Sequence, residues 1–432
     1  MSASSSFNDH YPSSYYAASA NAHRPFETLE ETLDCDVCVV GGGFSGLSSG
    51  LFLAEAGYDV VVLEGSRIGF GASGRNGGQL VNSYSRDVDT IEKQYGADTA
   101  RMLGSMIFEG GNIIRQRIET YDIQCDLRDG GIFAALNGRQ MKALEEQKAL
   151  WERFGNTQLE LLDGNSIGEE VGTRRYVGGL LDRSGGHIHP LNLALGEADA
   201  IRSLGGRVFE GSPAVSIRHG EPAVVKTPRG EVKARYVLVA GNAYLNDVEP
   251  ELKARSMPCG TQIIATEPLQ EDQLAAILKH NYCVEDCNYL LDYFRLTADN
   301  RLLYGGGVVY GARDPADVTR LILPKLLKTF PQLKGVKVDY SWTGNFLMTL
   351  SRLPQFGRLD GNVFYMQGYS GHGVTTTHLA GRLFAEVIQG QAERFDAFAS
   401  LPHLPMPGGQ RFAAPLSALG ATYYSLRDRL GI

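Results

Sequence analysis

One stretch constrains the fold of this chain more than any other. From Cys35 to Glu64 it reads Cys-Asp-Val-Cys-Val-Val, then Gly-Gly-Gly-Phe-Ser-Gly, then Leu47 to Tyr58, then Asp-Val-Val-Val-Leu-Glu. Val37, Val39 and Val40 form a short run of β-branched residues, which predicts a buried strand. Gly41, Gly43 and Gly46 follow with G-x-G-x-x-G spacing. Leu47, Leu51, Leu53 and Ala54 recur at roughly helical period, and Gly57 closes that helix. Val60 to Leu63 predicts a second buried strand, ending in Glu64.

Each part has a physical task. Gly41 permits a tight turn out of the strand. Gly43 has no Cβ, so a pyrophosphate can approach the backbone, and Gly46 lets the helix pack closely on the strands. Phe44 and Ser45 open the helix, whose free N–H groups and partial positive charge favour phosphate. Glu64 stands where an acidic side chain can bond ribose hydroxyls. It would repel a 2′-phosphate, which favours FAD or NAD over NADP. A bare glycine-rich turn is the bland alternative. It does not explain strand, helix, second strand and terminal acid falling in order.

At 432 residues the chain is too long for one simple core, and two domains are expected. A net charge of −8 argues against a nucleic-acid backbone as partner. Six cysteines are too few for a disulfide framework at this length. Cys35 and Cys38 bracket a predicted strand and read as small buried hydrophobes. Cys283 and Cys287 are spaced to share a helical face, as core residues or as a redox pair. No secretory signal and no long apolar run are legible, so no membrane span and a cytoplasmic location are expected.

Residues 1–34 are polar with scattered tyrosines: either a disordered leader, or a segment pinned to the body by Tyr11, Tyr15 and Tyr16. Residues 65–79 hold six glycines with Ser73, Arg75, Asn76 and Gln79, which suits a loop lying along a cofactor. Residues 86–125 read mostly helical, 130–136 as a strand and 138–154 as a charged helix. His187 and His189 lack further metal ligands nearby and read as turn histidines. A helix is expected from Leu191 to Leu204, and strands from Val208 to Val215, at Val224-Val225 and from Val232 to Ala240. Residues 255–346 are strand-rich, with a short helix from Pro324 to Phe330. A last buried strand leads into Gln367-Gly-Tyr-Ser-Gly-His-Gly373 and a helix from Val374 to Ile388. That second glycine-rich turn suits another contact with the same cofactor. Residues 401–415 are Pro-rich, and a short terminal helix is expected over 416–430.

The turn at Gly41–Gly46 with Glu64, the Gly71-Ala-Ser-Gly-Arg-Asn-Gly-Gly-Gln79 stretch, the strand end Ala240-Gly241-Asn242 and the Gly368-Tyr-Ser-Gly-His-Gly373 turn occur in one order. That order resembles the FAD-dependent amine oxidoreductases of the D-amino-acid oxidase, glycine oxidase and sarcosine oxidase superfamily. Within it, the Ser14-Tyr-Tyr-Ala-Ala18 leader, the Arg67–Gln79 block and the Tyr423–Leu430 tail are similar to bacterial γ-glutamylputrescine (γ-glutamylpolyamine) oxidoreductases.

The resemblance implies an α/β fold: a Rossmann-like FAD-binding domain and a second, mainly antiparallel-sheet substrate domain. The expected division is 1–34 leader; 35–85, 155–254 and 355–400 FAD-binding; 86–154 and 255–354 substrate; 401–432 tail. Besides the first turn and Glu64, it marks Gly65, Ser66, Arg67, Gly71, Ala72, Ser73, Arg75, Asn76, Gly77, Gly78 and Gln79 as FAD-binding. The later FAD-binding positions are Val215, Ala240, Gly241, Gly368, Ser370, Gly371, His372, Gly373, Val374 and Thr375. Tyr293, Arg295, Phe346 and His372 are the substrate-side candidates. Tyr293 and Arg295 alternate on one predicted strand, where Arg295 can pair with a glutamyl carboxylate or else is a surface residue of an edge strand.

Departures from the family pattern narrow the substrate. Relatives that oxidise amino acids carry an Arg in a Gly-Leu-Arg-Pro run; this chain reads Gly344-Asn-Phe-Leu347, with Phe346 at the Arg position. Phe346 cannot grip a carboxylate, so a plain α-amino acid fits poorly. Residues 341–350 hold no Cys, so the FAD is expected to be non-covalent. Val308 and Thr375 stand where relatives use lysines for oxygen activation, leaving oxygen or another electron acceptor open. The resemblance implies oxidative deamination of a primary amine by hydride transfer to flavin N5, giving an imine, then aldehyde plus ammonia, within polyamine catabolism. No catalytic side chain is required. The competing readings are oxidation of another amine or N-methyl amino acid, a flavoprotein electron carrier, and a nicotinamide-dependent dehydrogenase.

Overall fold

The computed structural model describes residues 10–310 and 314–406, with positions 420, 423, 426 and 427 beyond them. The terminal helix expected over 416–430 therefore falls almost wholly outside the described residues. In chain order the strands are β1 (Thr32–Val40), β2 (Val60–Leu63), β3 (Gln79–Leu80), β4 (Arg128–Ala135), β5 (Leu159–Asp163), β6 (Gly178–His187), β7 (Arg207–Phe209), β8 (Ser216–Arg218) and β9 (Ala223–Lys226). They continue with β10 (Glu231–Val239), β11 (Met257–Thr266), β12 (Cys283–Asp286), β13 (Asp292–Leu296), β14 (Leu302–Tyr310), β15 (Val338–Met348), β16 (Gln355–Asp360) and β17 (Val363–Gln367).

Two sheets organise the chain. The first has the order β16-β17-β10-β1-β2-β7, with β9 and β8 branching from β10. Its centre is parallel: β1 pairs with β10 and β2, β10 with β17, and β2 with β7. β2 is buried along its whole length, as its unbroken run of Val and Leu requires for a strand covered on both faces. The second has the order β15-β11-β14-β13-β12-β4-β6-β3, with β5 on β6. It is antiparallel except where β12 runs parallel to β4. The α/β class with a second antiparallel unit is thus as read from the residues.

The division between units differs from the expected one. β5 and β6 lie in the second sheet, although 155–254 was assigned to the first. Their side chains join the cores of the second unit: Leu162 and Leu181 pack with Ile132 and Val284. Within 86–154, the helix Glu109–Thr120 packs instead on the first unit. The leader helix α1 (Tyr15–Ala18) packs its tyrosines against His189 at the start of α4 (Pro190–Ser203), and four helices, α2 (Phe44–Glu55), α3 (Glu109–Thr120), α4 and α5 (Gly373–Ile388), cluster together in the first unit. A buried ionic network binds them. Arg117 donates to Glu197 Oε1 at 2.8 Å and to the Ser48 carbonyl at 3.0 Å, and His378 Nε2 lies 3.0 Å from the same Glu197 oxygen.

The leader is pinned from residue 10 onward. Tyr11 donates to the Ile68 carbonyl at 2.7 Å, Tyr15 to Asp299 at 2.6 Å, and Tyr16 is fully buried. Cys283 sits on β12 rather than on a helix, with Cys287 just past its end. The strand expected from Val208 to Val215 stops at Phe209. The helix expected from Pro324 begins at Val318, because Asp317 caps it by accepting from Arg320 N at 2.9 Å. Among the described residues, no group of His, Cys, Asp or Glu could hold a metal, and no helix is long and apolar enough to cross a membrane.

Candidate active site

A cavity of about 600 Å³ runs from the carboxyl ends of β1, β2 and β10 to the face of the second sheet. In doubly wound sheets ligands bind at such strand ends. The first wall is nearly bare peptide. Gly41 has φ 120°, and a Cβ there would come within 2.7 Å of the Ala240 carbonyl oxygen. A Cβ on Gly46 would lie 1.9 Å from the Gly41 oxygen, so α2 can start this close to β1 only with glycine there. Gly43 is the N-cap of α2 and provides no side-chain acceptor of its own.

Glu64 closes the end of β2. Its carboxylate accepts from Gly42 N and Ser66 N, both at 2.8 Å. Burial pushes its pKa up to about 7 against these N–H groups. The 65–79 loop is held by its own side chains. Ser73 Oγ accepts from Phe44 N at 2.9 Å. Asn76 donates to the carbonyls of Ala72 and Ser73 and accepts from Gly78 N at 2.7 Å, so its amide is spent on the turn. Arg75 donates to Tyr244 Oη and stacks 5.0 Å from the centre of the Phe70 ring.

The second glycine-rich turn meets the first. Ser45 Oγ donates to Tyr369 Oη at 2.7 Å. His372 faces the cavity with its Nδ1 buried and unpaired. Burial, aided by the charge of Arg352, pushes its pKa down to about 4, so it is neutral near pH 7. A bare peptide wall, a helix start with glycine at its N-cap, a half-buried acid at the ribose position and an orphaned imidazole nitrogen fit a dinucleotide cofactor.

The matching family is "DAO: FAD dependent oxidoreductase", over residues 36–387. This chain belongs to that family. Among relatives of the FAD dependent oxidoreductase, γ-glutamylputrescine oxidoreductase of Escherichia coli K12 is 72% identical over 423 residues, 98% of this chain and 99% of the relative. Probable oxidoreductase OrdL of Haemophilus influenzae is 42% identical, covering 96% and 97%. In fold, glycine oxidase from Bacillus cereus superposes with TM-score 0.70 at 19% identity, covering 86% of this chain and 99% of that one. L-proline dehydrogenase from P. horikoshii gives 0.71 at 20% identity, covering 86% and 96%. The enzyme is an FAD-dependent oxidoreductase, and the cavity is where FAD fits.

Most positions named from sequence line this cavity: the first turn, Glu64 to Ser66, Gly71 to Gly77 apart from Gly74, Gln79, Ala240, Gly241, Tyr293, Phe346 and the turn from Ser370 to Val374. Seven do not. Gly46 lies beneath the helix start. Arg67 is turned to Glu210, 2.9 Å away. Gly78 has φ 81° and is backed by the Arg295 guanidinium. Val215 is 56% exposed, while Pro213 and Ala214 face the cavity. Gly368 stays behind the second turn, and Thr375 donates to the Val81 carbonyl at 2.7 Å.

Arg295 is the largest departure. It does not line the cavity, and it is not a surface residue. β13 is central in its sheet, and Arg295 is 3% exposed. It donates to the carbonyls of Gly77, Ile188 and Leu296 and to Tyr16 Oη.

Tyr244, Glu285 and Arg352 are among the cavity residues that the sequence did not mark. Tyr244 holds Arg75 from a turn two residues past Asn242. Glu285 stands opposite Tyr293 in the β12–β13 pair and opposite Phe133 in the β12–β4 pair. It has no hydrogen bond or ion pair with a described residue, unlike neighbouring Asp286, which meets Arg175 at 3.4 Å. Burial first, then Asp286, pushes Glu285 up to about 7. The available signal was the adjacent pair of acids Glu285-Asp286 following Cys283-Val284. Arg352 also lines the cavity, from a turn that no periodicity marks.

Proposed function

We propose that this enzyme oxidises γ-glutamylputrescine, or a closely related γ-glutamylated amine, at its primary amine. The observation that carries this reading is the 72% identity to the E. coli enzyme of that name across almost the whole of both chains. The cavity chemistry agrees. Phe346, on β15, packs near Met257, Cys259 and Met348, so its side chain makes an apolar wall and offers no guanidinium of its own to an α-amino acid. Bound FAD supplies the hydride acceptor.

The residues bring the amine to a reactive state. A cationic amine entering the cavity meets Glu285, a carboxylate that has no hydrogen bond or ion pair with a described residue. Tyr293 stands beside it and packs against Gly77 and Gly305, placing the amine end close to the 71–79 loop. With a pKa near 7, Glu285 is suited to take the ammonium proton and leave a neutral amine with its lone pair free. The imine that leaves the site is hydrolysed by water to aldehyde and ammonia.

The FAD is held without a covalent bond. Cys259, the cysteine beside Phe346, is buried and its thiol is pushed up to about 12, so it is no nucleophile. Val308 faces the cavity without a charge, and this favours an acceptor other than oxygen. All six cysteines are free, which suits the reducing cytoplasm. Anaerobic bleaching of the flavin by γ-glutamylputrescine, but not by sarcosine or D-alanine, is the expected result. Bleaching by D-alanine overturns the argument from Phe346. A flavin that none of these bleaches makes the protein an electron carrier. Flavin released intact by acid precipitation checks the non-covalent assignment.

A further inference from the structure

We propose that Arg352 binds the carboxylate of the substrate, a role that no relative's name assigns and that rests on the functional reading above. A γ-glutamyl amine carries a carboxylate far from its reacting carbon. A carboxylate that leaves water for a protein cavity needs a cationic partner. Among the described residues three cations line the wall: Arg75, Arg86 and Arg352. Arg75 is held by Tyr244 and by the carbonyls of Gly71 and Thr343. Arg86 Nε donates to the Ser351 carbonyl at 3.3 Å. The guanidinium of Arg352 makes no hydrogen bond or ion pair with a described residue.

The backbone that carries Arg352 is built rather than loose. It lies in the turn between β15 and β16 with φ 62°, a left-handed conformation that non-glycine residues rarely adopt. Three bonds hold it there. Arg352 N donates to the Thr349 carbonyl at 3.3 Å, Thr349 Oγ1 donates to the Leu353 carbonyl at 2.8 Å, and Thr349 N donates to Ser370 Oγ at 3.2 Å. Ser370 belongs to the second glycine-rich turn and has φ 54° itself. Such conformations persist where the surroundings over-determine them, and they cluster at ligand sites. The turn thereby fixes an unpaired cation against the cavity wall.

The cation and the free carboxylate also occupy separate regions. The charge of Arg352 is felt by His372 and Cys259, whereas the charge felt by Glu285 is that of Asp286. Arg352 and Glu285, a cation and a carboxylate that each lack a hydrogen-bond partner among the described residues, stand on different parts of the cavity wall and match a substrate with an amine at one end and a carboxylate at the other. They do not match putrescine, which is cationic at both ends.

The test compares the holoenzyme with R352N and R352K. Asn tolerates the left-handed backbone, so R352N removes the charge without straining the turn. Retention of flavin is checked first from absorbance. Anaerobic flavin bleaching is then titrated with γ-glutamylputrescine and with N-acetylputrescine, which lacks the carboxylate. R352N is expected to raise the half-saturating γ-glutamylputrescine concentration roughly 10- to 100-fold, as for loss of a charged hydrogen bond. It is expected to leave the value for N-acetylputrescine unchanged, and R352K to recover part of the loss. An equal shift for both amines, or for neither, overturns the proposal. A separate readout needs no turnover: glutarate perturbs the oxidised flavin spectrum of the wild type and not of R352N. If the wild type is not bleached by γ-glutamylputrescine, the functional reading falls, and the glutarate titration alone decides for or against Arg352.

Discussion

Ser45 Oγ donates to Tyr369 Oη at 2.7 Å, and that bond joins two glycine-rich turns that lie more than three hundred residues apart in the chain. Tyr369 is buried, and among the described residues its phenol has no other hydrogen-bond partner than Ser45. That bond couples the two turns that flank the cofactor groove. Replacing Tyr369 by Phe leaves Ser45 at the groove wall without its acceptor. Y369F is expected to weaken FAD binding by about fivefold to tenfold, the size of one net hydrogen bond. Titration of the apoprotein with FAD, followed by flavin fluorescence, checks this. Unchanged affinity would separate the turns energetically.

Arg295 acts on the same groove from behind. Its bonds to Gly77 at 2.8 Å and to Tyr16 at 3.0 Å tie the cofactor loop to the leader. R295M leaves the buried carbonyls of Gly77, Ile188 and Leu296 short of a donor, a loss of about 3 kcal/mol or more in stability. Flavin retention is expected to fall as well. In the fraction that keeps FAD, the half-saturating concentration of the amine is expected to stay within about twofold of wild type, as for a residue that touches no substrate. Chemical denaturation and anaerobic titration give the two readings.

Glu285 makes substrate binding depend on pH. Its pKa is raised to about 7 by burial and then by Asp286, so it is protonated at pH 6 and ionised at pH 8. The half-saturating amine concentration is expected to fall as pH rises through 7, and E285Q is expected to abolish that limb. Stability runs the other way. A carboxyl whose folded pKa lies above its unfolded value of 4.5 contributes stability below 4.5 that is lost as pH rises to about 7. Ligand-free E285Q should lack that decline. Parallel pH series of binding and of thermal unfolding test both signs.

Glu197 is the common partner of Arg117 and His378 where α2, α3, α4 and α5 meet, and its side chain is fully buried. Burial alone would raise its pKa, but His378 and Arg117 outweigh it and hold the carboxyl below the usual range. Its contribution is present above the unfolded pKa and is lost as pH falls. E197A strands the Arg117 guanidinium, which is 3% exposed, and is expected to cost about 3–5 kcal/mol. Denaturant unfolding at neutral pH measures this. A loss below about 1 kcal/mol would mean that Arg117 finds another acceptor.

The sequence by itself determined the nucleotide-binding half. G-x-G-x-x-G, the Val-rich strands and Glu64 are local patterns, and local patterns follow from steric freedom at glycine and from strand periodicity. The second turn at Gly368–Gly373 was legible for the same reason. The order of these motifs along the chain was enough to name the family, and the family matched.

Only the tertiary structure decided which side chains reach the cavity. Tyr293 and Arg295 share a strand face, yet one lines the cavity and the other is drawn into carbonyls of neighbouring segments. Their fates depend on what lies across β13, which spacing does not encode. Glu285 and Arg352 became candidates because other segments leave them unpaired while satisfying Asp286, Arg75 and Arg86. Whether a charge is paired is a property of three-dimensional neighbours. A chain can announce that it carries Glu and Arg, but only packing determines which of them remains free for a ligand.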